Sequence, residues 1–575
     1  MSSATPTPTP DPKPRRFPVA GVLRLGRPSR IWFKPALSVV AAVAPPSLIL
    51  VALGRLDLAA YTMAGSLCAL YAHNRPYAAR AKALTGVVLG MLGGLAVALV
   101  SASLTSNAVV LVTVGAALAA VQKVLCDVTR IGPPGNVILT FVSSASLFVP
   151  QTLGQVPGHL ALAAVAGVWA WLVGMAPVLV RPHGPERRAT ADALSATAAY
   201  VETGGTGDGH TRARAAAYAA VQAAWQCLLL TGTRSAATRR ALERLVVRAE
   251  IALAAPADAD PALLRAWAGE LRGTGRIPGA DASPTDAEEL LGAAAERAVP
   301  PRPLRHRLGP LAPIAVRTAL GCALAGYASL ALGVGRPYWA LVTAASLYQA
   351  NLSLTWSRTV QRVVGNLVGV LIFAAVAPIA HLGPLALVLC CLVFNFGAEA
   401  LISRNYWLGS VCVTPLALLV TEFPGYQDTG SLVTDRVVDT LVGALVGFVA
   451  ALAVTNRRAG DRVEGALATV DRGREHATRL LAAPRPDPAA LEAARRGLAA
   501  ALVDLRATAD AAAGEWWLSS LPQERVVLAE QSGHRTLAAT VRRQGLLTGP
   551  GAETEPGTHP GSGTDPGTDT KDGQP

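Results

Sequence analysis

Five polar side chains lie within long apolar stretches of this sequence, where they could bind or carry charge. A charged group in hydrocarbon costs roughly 3 kcal/mol even on a lenient scale, so such residues usually face a cavity or a partner. Arg317 could bind an anionic substrate, or it could snorkel to the membrane surface. Asp439 could form a local i,i+3 ion pair with Arg436, or it could act as a proton-linked gate. The five residues are Arg317, Gln349, Asn351, Glu399 and Asp439.

Arg358 and Arg362 form a second candidate group, because residues four apart share one face of a helix. Two interpretations are open for this pair. The arginines could simply anchor the topology of the chain at the cytoplasmic surface. Alternatively, they could form a cationic entrance that attracts carboxylates from the cytoplasm.

We single out three of the glycine pairs that have the GxxxG spacing. Glycine at this spacing lets two helix backbones approach closely, so we interpret all three pairs as helix-packing positions. The pairs are Gly86/Gly90, Gly365/Gly369 and Gly443/Gly447.

The motifs of several enzyme classes are absent from the sequence. None of the five lysines lies between Gly and Ser or Thr, which excludes a P-loop engine, and no HExxH, GxSxG or EF-hand pattern occurs. The seven cysteines form no CxxC pair, and neither His159 nor His381 has a partner at ligand spacing. The sequence therefore predicts a protein that is not an enzyme, with no catalytic residue, no metal site and no cofactor.

Apolar residues are concentrated in two blocks of the chain, residues 31–180 and 309–454. Only 15% of the 575 residues are charged and mean hydropathy is +0.37, whereas a soluble domain has about 25% charged residues. The net charge of +13 comes mainly from arginines that flank apolar runs, and no basic patch is interleaved with aromatic residues. The composition predicts a partner in the lipid bilayer and argues against nucleic acid.

Each apolar block is long enough for six membrane crossings, since a helix needs about 20 residues to cross the hydrocarbon layer. The second element of each block is short, so one of them could be a broken or re-entrant helix. The predicted spans are 34–53, 57–72, 84–101, 107–125, 135–151, 158–180, 311–333, 337–351, 363–380, 382–400, 405–421 and 437–454.

Basic residues are biased toward alternate loops. If the N-terminus is cytoplasmic, the outside loops hold only Arg55, Arg336 and Arg436. An odd number of spans in either block would place an arginine-rich segment outside, against the positive-inside rule. We therefore predict a multi-pass protein of a bacterial inner membrane, with both termini and residues 181–308 in the cytoplasm. The inside loops hold Arg75, Arg80, Lys82, Lys123, Arg130, Arg358, Arg362 and Arg404.

The predicted fold class is all-α, with about twelve transmembrane helices in two six-helix parallel repeats and a helical cytoplasmic domain. Gly86-x3-Gly90 in the first block parallels Gly365-x3-Gly369 in the second. Segments 181–308 and 455–546 have helical spacing of Ala, Leu and Arg, and we expect them to form the cytoplasmic domain. Residues 1–30 and 547–575 are predicted to be disordered.

The second block resembles the integral membrane transporter module of the fusaric acid resistance family, which includes the aromatic acid exporters. The resemblance is good over about 311–454 and faint over 34–180. The first block lacks a Tyr-Trp pair, and its last span has no acidic counterpart of Asp439. The matching residues are Arg317, Pro337 to Ala344 with Tyr338 and Trp339, Gln349, Arg358-x3-Arg362-x2-Gly365-x3-Gly369, and Arg436-x2-Asp439-x3-Gly443.

This resemblance implies proton-linked export of small organic or aromatic acids along a path shared by two six-span bundles, and it allows a homodimer. Two other functions stay open: an organic-anion channel without proton coupling, and a non-transporting membrane scaffold for functions of the cell envelope. The candidate substrate residues are Arg317, Tyr338, Trp339, Gln349, Arg358, Arg362 and Asp439.

Overall fold

The computed structural model describes most of the chain, and it is entirely helical there, with nineteen α-helices and no β-strand in the described ranges. The disorder predicted for 1–20, 27–30 and 547–575 lies outside those ranges. The described residues are 21–26, 32–132, 134–204, 207–231, 236–278, 311–349, 351–454, 459–513 and 523–544.

The first apolar block folds into six helices, and short 3₁₀ segments extend the second and the sixth. The helices are α1 (Phe33–Ala52), α2 (Ala59–Ser66), α3 (Tyr77–Leu104), α4 (Ala108–Val128), α5 (Val137–Ser146) and α6 (Val156–Met175).

Ten described helices follow in the middle segment and the second apolar block, and residues 279–310 between them lie outside the described ranges. The middle segment holds α7 (Gly184–Glu202), α8 (Asp208–Leu229), α9 (Ala236–Ala254) and α10 (Pro261–Arg272). The second block holds α11 (Ala312–Ala331), α12 (Tyr338–Leu347), α13 (Leu352–Ala380), α14 (Pro384–Ile402), α15 (Tyr406–Val420) and α16 (Thr429–Ala453).

Eight of the described helices are long and apolar enough to cross a membrane: α1, α3, α4, α6, α11, α13, α14 and α16. Four shorter apolar elements complete the two blocks, at Leu56–Leu70, Val137–Ser146, Tyr338–Leu347 and Tyr406–Val420. The span predicted at 135–151 is therefore longer than α5, whereas α15 agrees with the span predicted at 405–421 to within one residue at each end. Helix α5 ends shortly before Pro150, because the residue before a proline avoids the helical conformation.

Asparagine side chains fix where several of these helices begin. The side chain of Asn107 accepts a hydrogen bond from the second backbone N–H of α4 at 2.9 Å. Asn351 and Asn405 cap α13 and α15 in the same way. Each cap satisfies a backbone donor that has no partner within its own helix.

The two blocks have the same order of long and short helices, since the second and the fifth helix are the short ones in each. The helix contacts within the two blocks are also equivalent. Six contacts of the first block recur in the second between the helices whose numbers are ten higher, so that α1–α2 corresponds to α11–α12. These six contacts are α1–α2, α1–α6, α2–α6, α3–α5, α3–α6 and α4–α5. Between the blocks, α1 packs on α14 and α11 packs on α4, which are again equivalent pairs.

The remaining helices are α17 (Ala459–Ala482), α18 (Pro488–Ala513) and α19 (Gln523–Arg543). They have an apolar core of their own and contact the middle segment through α8–α18 and α9–α19. A buried ion-pair network crosses this contact, in which Arg495 lies 2.9 Å from Glu250 and 2.7 Å from Glu492. Residues that follow different membrane blocks are thus joined in one helical assembly.

The prediction of disorder for residues 1–30 is wrong for residues 21–26. The carbonyl oxygen of Val22 accepts hydrogen bonds from Gln361 Nε2 at 2.9 Å and from Asn405 Nδ2 at 3.0 Å. Composition could not show this contact, because the donors belong to α13 and to the start of α15.

The second-block glycines lie at close helix contacts, in agreement with the predicted packing role. A methyl group added at Gly365 would lie 2.5 Å from a side-chain carbon of α15, and one at Gly447 would lie 3.1 Å from the backbone of α12. Gly369 and Gly443 make the same close approaches to α15 and α12.

The same prediction is wrong for Gly86 and Gly90. A methyl group added at either position would meet no atom within 4 Å. The close contact of α3 is made one turn later at Gly94, where an added methyl would lie 2.7 Å from both Gln122 Nε2 and Ser143 Oγ. Spacing alone cannot tell which face of a helix meets its neighbours.

Candidate translocation cavity

A cavity of about 2190 Å³ lies between the two apolar blocks. The short helices provide much of its wall: α5 lines it from Val137 to Ser146, and α15 lines it from Tyr406 to Val420. Short or broken helices are tolerated at membrane depth where they face protein or a water-filled space, so their position beside the cavity fits their length.

Three arginines of the second block line this cavity. Arg358 and Arg362 are on α13, and Arg436 is on α16, which runs in from the opposite end. Arg362 Nη1 donates a hydrogen bond to Tyr406 Oη at 3.2 Å, and the Arg358 guanidinium lies 3.8 Å from the centre of the Tyr406 ring. One tyrosine at the start of α15 thus contacts two cations.

Arg436 is almost completely buried, at 1% exposure, although it lines the cavity. Its guanidinium lies 5.1 Å from the centre of the Trp339 ring, and Arg336 lies 5.2 Å from the same ring. Its Nε and Nη1 have no hydrogen-bond partner among the described residues. A buried donor without a partner is costly, so these two nitrogens mark a place where an acceptor from outside the protein would be stabilised.

The arginines of this wall form no ion pair with a described carboxylate, although Asp439 lies within electrostatic range of Arg436. Within the described part of the chain, Arg358, Arg362 and Arg436 form no ion pair within 4 Å. The Arg436–Asp439 ion pair considered from the sequence is therefore not formed. Instead, Asp439 Oδ1 accepts a hydrogen bond from Ser329 Oγ at 2.5 Å, and Oδ2 has no described partner.

Arg317 lies outside the cavity wall. Its Nε and Nη2 donate to the carbonyl oxygen of Val454 at 3.1 and 2.6 Å, and the residue is 5% exposed. These bonds satisfy a carbonyl at the C-terminal end of α16, which favours a structural role over substrate binding.

The seven predicted site residues divide into two groups. Tyr338, Gln349, Arg358 and Arg362 line the cavity. Arg317, Trp339 and Asp439 do not, although Trp339 supports Arg436 from behind the wall.

Sequence reasoning missed Arg436 and Tyr406 as cavity residues. The last span was predicted to begin at 437, which left Arg436 in an outer loop, but α16 begins at Thr429 and places it two turns inside the helix. The hydrogen-bonding N-cap of Asp428 is the sequence signal for that earlier start. No sequence pattern indicated that Tyr406 lies at the cavity, because its role depends on contacts with α13.

Two acidic residues line the cavity, Asp57 and Glu399. Asp57 lies 3.0 Å from Arg55 in an exposed ion pair, whereas Glu399 forms no ion pair within 4 Å among the described residues. Glu399 is therefore the carboxylate that faces the cavity without a basic partner. No group of three or more His, Cys, Asp or Glu in the described ranges is arranged to hold a metal ion.

Comparisons with known proteins match the second block. The family described as fusaric acid resistance protein-like matches residues 323–450. No solved structure matches the chain.

Two curated proteins are similar over part of the chain. The uncharacterized membrane protein YvaC of Bacillus subtilis (strain 168) is 29% identical over 131 residues, which is 22% of this chain and 21% of that protein. An uncharacterized protein of Haemophilus influenzae (strain ATCC 51907 / DSM 11121 / KW20 / Rd) is 31% identical over 134 residues, 23% of this chain and 17% of that protein. The chain thus matches about a fifth of the length of these relatives.

The family match and the eight long apolar helices together indicate a multi-pass membrane protein. The matched range contains α12 to α15, most of α16 and all three cavity arginines. The predicted resemblance to the fusaric acid resistance family is therefore confirmed for residues 323–450 of this chain.

Proposed function

We propose that this protein is a secondary exporter of small organic anions, with the cavity between its two apolar blocks as the translocation path. The observation that supports this most strongly is the group of three cavity arginines without a carboxylate partner, of which Arg436 has two buried and unpartnered nitrogens. A carboxylate bound there would accept the hydrogen bonds that the protein leaves unmade.

The proposed layout has twelve crossings in two parallel repeats, with both termini and residues 181–308 in the cytoplasm. The equivalent order of long and short helices and the equivalent contacts in the two blocks support the repeat. The positive-inside distribution of arginines supports the orientation. The homodimer stays a prediction.

The proposed substrate class is aromatic carboxylates. The wall places two tyrosine rings, Tyr338 and Tyr406, beside guanidinium groups. Rings can stack on an aromatic acid while the arginines bind its carboxylate in a bidentate manner. A cavity of about 2190 Å³ is larger than a pocket for one such molecule, which suits a path better than a tight binding site.

Two carboxylates are candidates for the proton link. Asp439 is buried near Arg436 but lies outside the wall, whereas Glu399 faces the cavity directly. The variants Asp439→Asn and Glu399→Gln distinguish them: loss of the dependence of export on the proton gradient, with substrate binding retained, identifies the coupling residue. Export that needs no gradient in the unmodified protein contradicts a proton-linked carrier.

The test of the transport function is export from cells and from proteoliposomes that contain the full chain. A panel of aromatic acids is loaded inside, and efflux is compared for the unmodified protein, Arg362→Gln and the exposed control Arg404→Gln. We expect Arg362→Gln to lower the efflux rate strongly at normal protein levels and the control to be unaffected. Absence of efflux for every acid in the panel, with correctly folded protein, would overturn the proposal.

An anion channel without proton coupling is the second candidate, because the cavity extends along the whole of α15 and α5. Electrical recording from planar bilayers separates the two functions. Unitary currents far above carrier turnover, unchanged in Asp439→Asn and Glu399→Gln, would favour the channel.

A further inference from the structure

A second group of basic side chains lies at the other apolar block, away from the three cavity arginines. Lys34 is on α1, Arg80 on α3, Arg181 follows α6, and Arg188 is on α7. Lys34 lies within electrostatic range of the other three, and Arg188 lies within range of Arg80 and Arg181. Four elements thus converge to bring four positive charges together.

Arg80 is the buried member of this basic cluster (Lys34, Arg80, Arg181, Arg188), at 4% exposure. Its Nη2 lies 3.0 Å from His73 Nδ1, so the imidazole accepts this bond and carries its own proton on Nε2. Arg80 Nε and His73 Nε2 are both buried without a hydrogen-bond partner in the described part of the chain. Two donors at this place are therefore available to an acceptor that the protein does not supply.

The neighbouring acidic residues do not neutralise the cluster. No member forms an ion pair within 4 Å among the residues that the structure describes. Asp192 acts electrostatically on Arg188, but its ion pair is with Arg272, at 3.6 Å. Glu186 is 3% exposed, and burial raises its pKa. The cluster thus keeps a surplus of positive charge.

Large apolar side chains are exposed directly beside the cluster in sequence. Leu37 is one helical turn from Lys34 and is 56% exposed, while Leu179 and Val180 precede Arg181 and are 86% and 80% exposed. Side chains of this kind, at the ends of membrane-crossing helices, face lipid tails. The cluster therefore borders an apolar surface as well as the aqueous domain.

We propose that Lys34, Arg80, Arg181 and Arg188 bind the phosphate of an anionic phospholipid, whose acyl chains lie against the exposed apolar residues of α1 and the end of α6. The shared chemistry of the ligand is a phosphate monoanion or dianion. A lipid phosphate fits better than free phosphate, because the same site joins unpaired cations to an exposed apolar surface.

The site joins α1, α3 and the first helix of the middle segment, whose basic side chains repel one another. A bound anion would remove that repulsion and hold α7 against the membrane block. Lipid binding is thus expected to stabilise the junction between the membrane block and the helical assembly.

The test is native mass spectrometry of the full chain in detergent, titrated with phosphatidylglycerol or with phosphatidylcholine. We expect phosphatidylglycerol to bind more tightly, and the double variant Lys34→Gln/Arg188→Gln to weaken its binding about tenfold or more, since each basic residue near a lipid headgroup contributes about 1 kcal/mol. Lys82→Gln, an exposed lysine on α3, is the matched control and should bind like the unmodified protein.

Three outcomes would overturn the proposal. The double variant could bind phosphatidylglycerol as tightly as the unmodified protein, or the two lipids could bind equally. Inorganic phosphate could bind at the cluster while phosphatidylglycerol does not, which would identify a free anion as the ligand. Arg80→Gln gives an independent variant, and its melting temperature without lipid shows whether lost binding reflects lost folding.

Discussion

Each membrane block holds a buried arginine on its third helix with an unpartnered Nε, but the two arginines have different surroundings. Arg362 on α13 lines the central cavity and donates to Tyr406, whereas Arg80 on α3 does not line it and bonds to His73 among other cations. The comparison teaches that one chemical group serves two purposes. A guanidinium that faces the cavity is suited to a transported anion. A guanidinium that faces the end of the block is suited to an anion that stays bound.

Both block interiors contain satisfied polar groups, and in the second Asn366 Nδ2 donates to Thr440 Oγ1 at 3.0 Å while Thr414 Oγ1 donates to Asn366 Oδ1 at 2.7 Å. In the first block, Gln122 Nε2 donates to Ser143 Oγ at 2.9 Å, and Thr140 Oγ1 donates to Gln122 Oε1 at 3.0 Å. These groups satisfy one another and can hold α4 and α5 together. In the second block, Arg436 keeps two unpartnered nitrogens next to the cavity. A satisfied network stabilises a scaffold, while an unsatisfied one is available to a ligand.

The strongest way to break this comparison is to neutralise Arg362 and Arg80 separately. Arg362→Gln should lower the export rate about 100-fold, because a hydrogen bond to a charged group contributes about 1.5–3 kcal/mol. Arg80→Gln should leave export within about threefold of the unmodified protein. Efflux from proteoliposomes measures both. Equal losses in the two variants would contradict the division of roles.

Glycine substitutions in the two blocks should have different effects on the free energy of unfolding. Gly365→Val should lower the free energy of unfolding by about 3 kcal/mol, because its new side chain would overlap α15. Gly86→Val should change it by less than about 1 kcal/mol, since an added methyl at Gly86 meets no atom within 4 Å. Thermal melting of the purified proteins compares them. A strong effect at Gly86 would indicate an intermolecular contact there.

The polar interiors predict opposite effects on stability. Gln122→Ala should lower the free energy of unfolding by about 1–3 kcal/mol, because Ser143 and Thr140 lose their buried partner. Arg436→Gln should leave the melting temperature unchanged or raise it, while it reduces export, since it removes an unpaired buried charge. A lower melting temperature for Arg436→Gln would show that the residue acts as part of the scaffold.

The smallest expected effect concerns the stability of the folded protein at low pH. Burial, and then the Arg80 guanidinium, lowers the pKa of His73 to about 3 from a usual value of 6.5. His73 is therefore neutral in the folded protein at pH values where the unfolded chain binds a proton, so its contribution to stability is complete above pH 6.5 and falls as the pH drops toward 3. His73→Gln should flatten this part of the stability profile measured by thermal melting. An unchanged profile would contradict the neutral imidazole.

The sequence alone was sufficient for the larger features of this protein. The clustering of apolar residues predicted two membrane blocks, and the residues from Tyr338 to Gly369 predicted a resemblance that the comparisons confirm over 323–450. Hydropathy averages over a window of residues, so it finds blocks reliably. It does not find helix ends, which is why Arg436 was assigned to a loop.

Only the tertiary structure decided which polar residues face the cavity. Arg317 and Arg362 look alike in the sequence, yet one donates to the Val454 carbonyl and the other lines the cavity. Composition and spacing record what a residue is, and helix packing determines which neighbour it meets. The difference between an arginine that bonds to a helix end and one that lines the cavity depends on partners more than 40 residues away in the chain, as Tyr406 shows for Arg362.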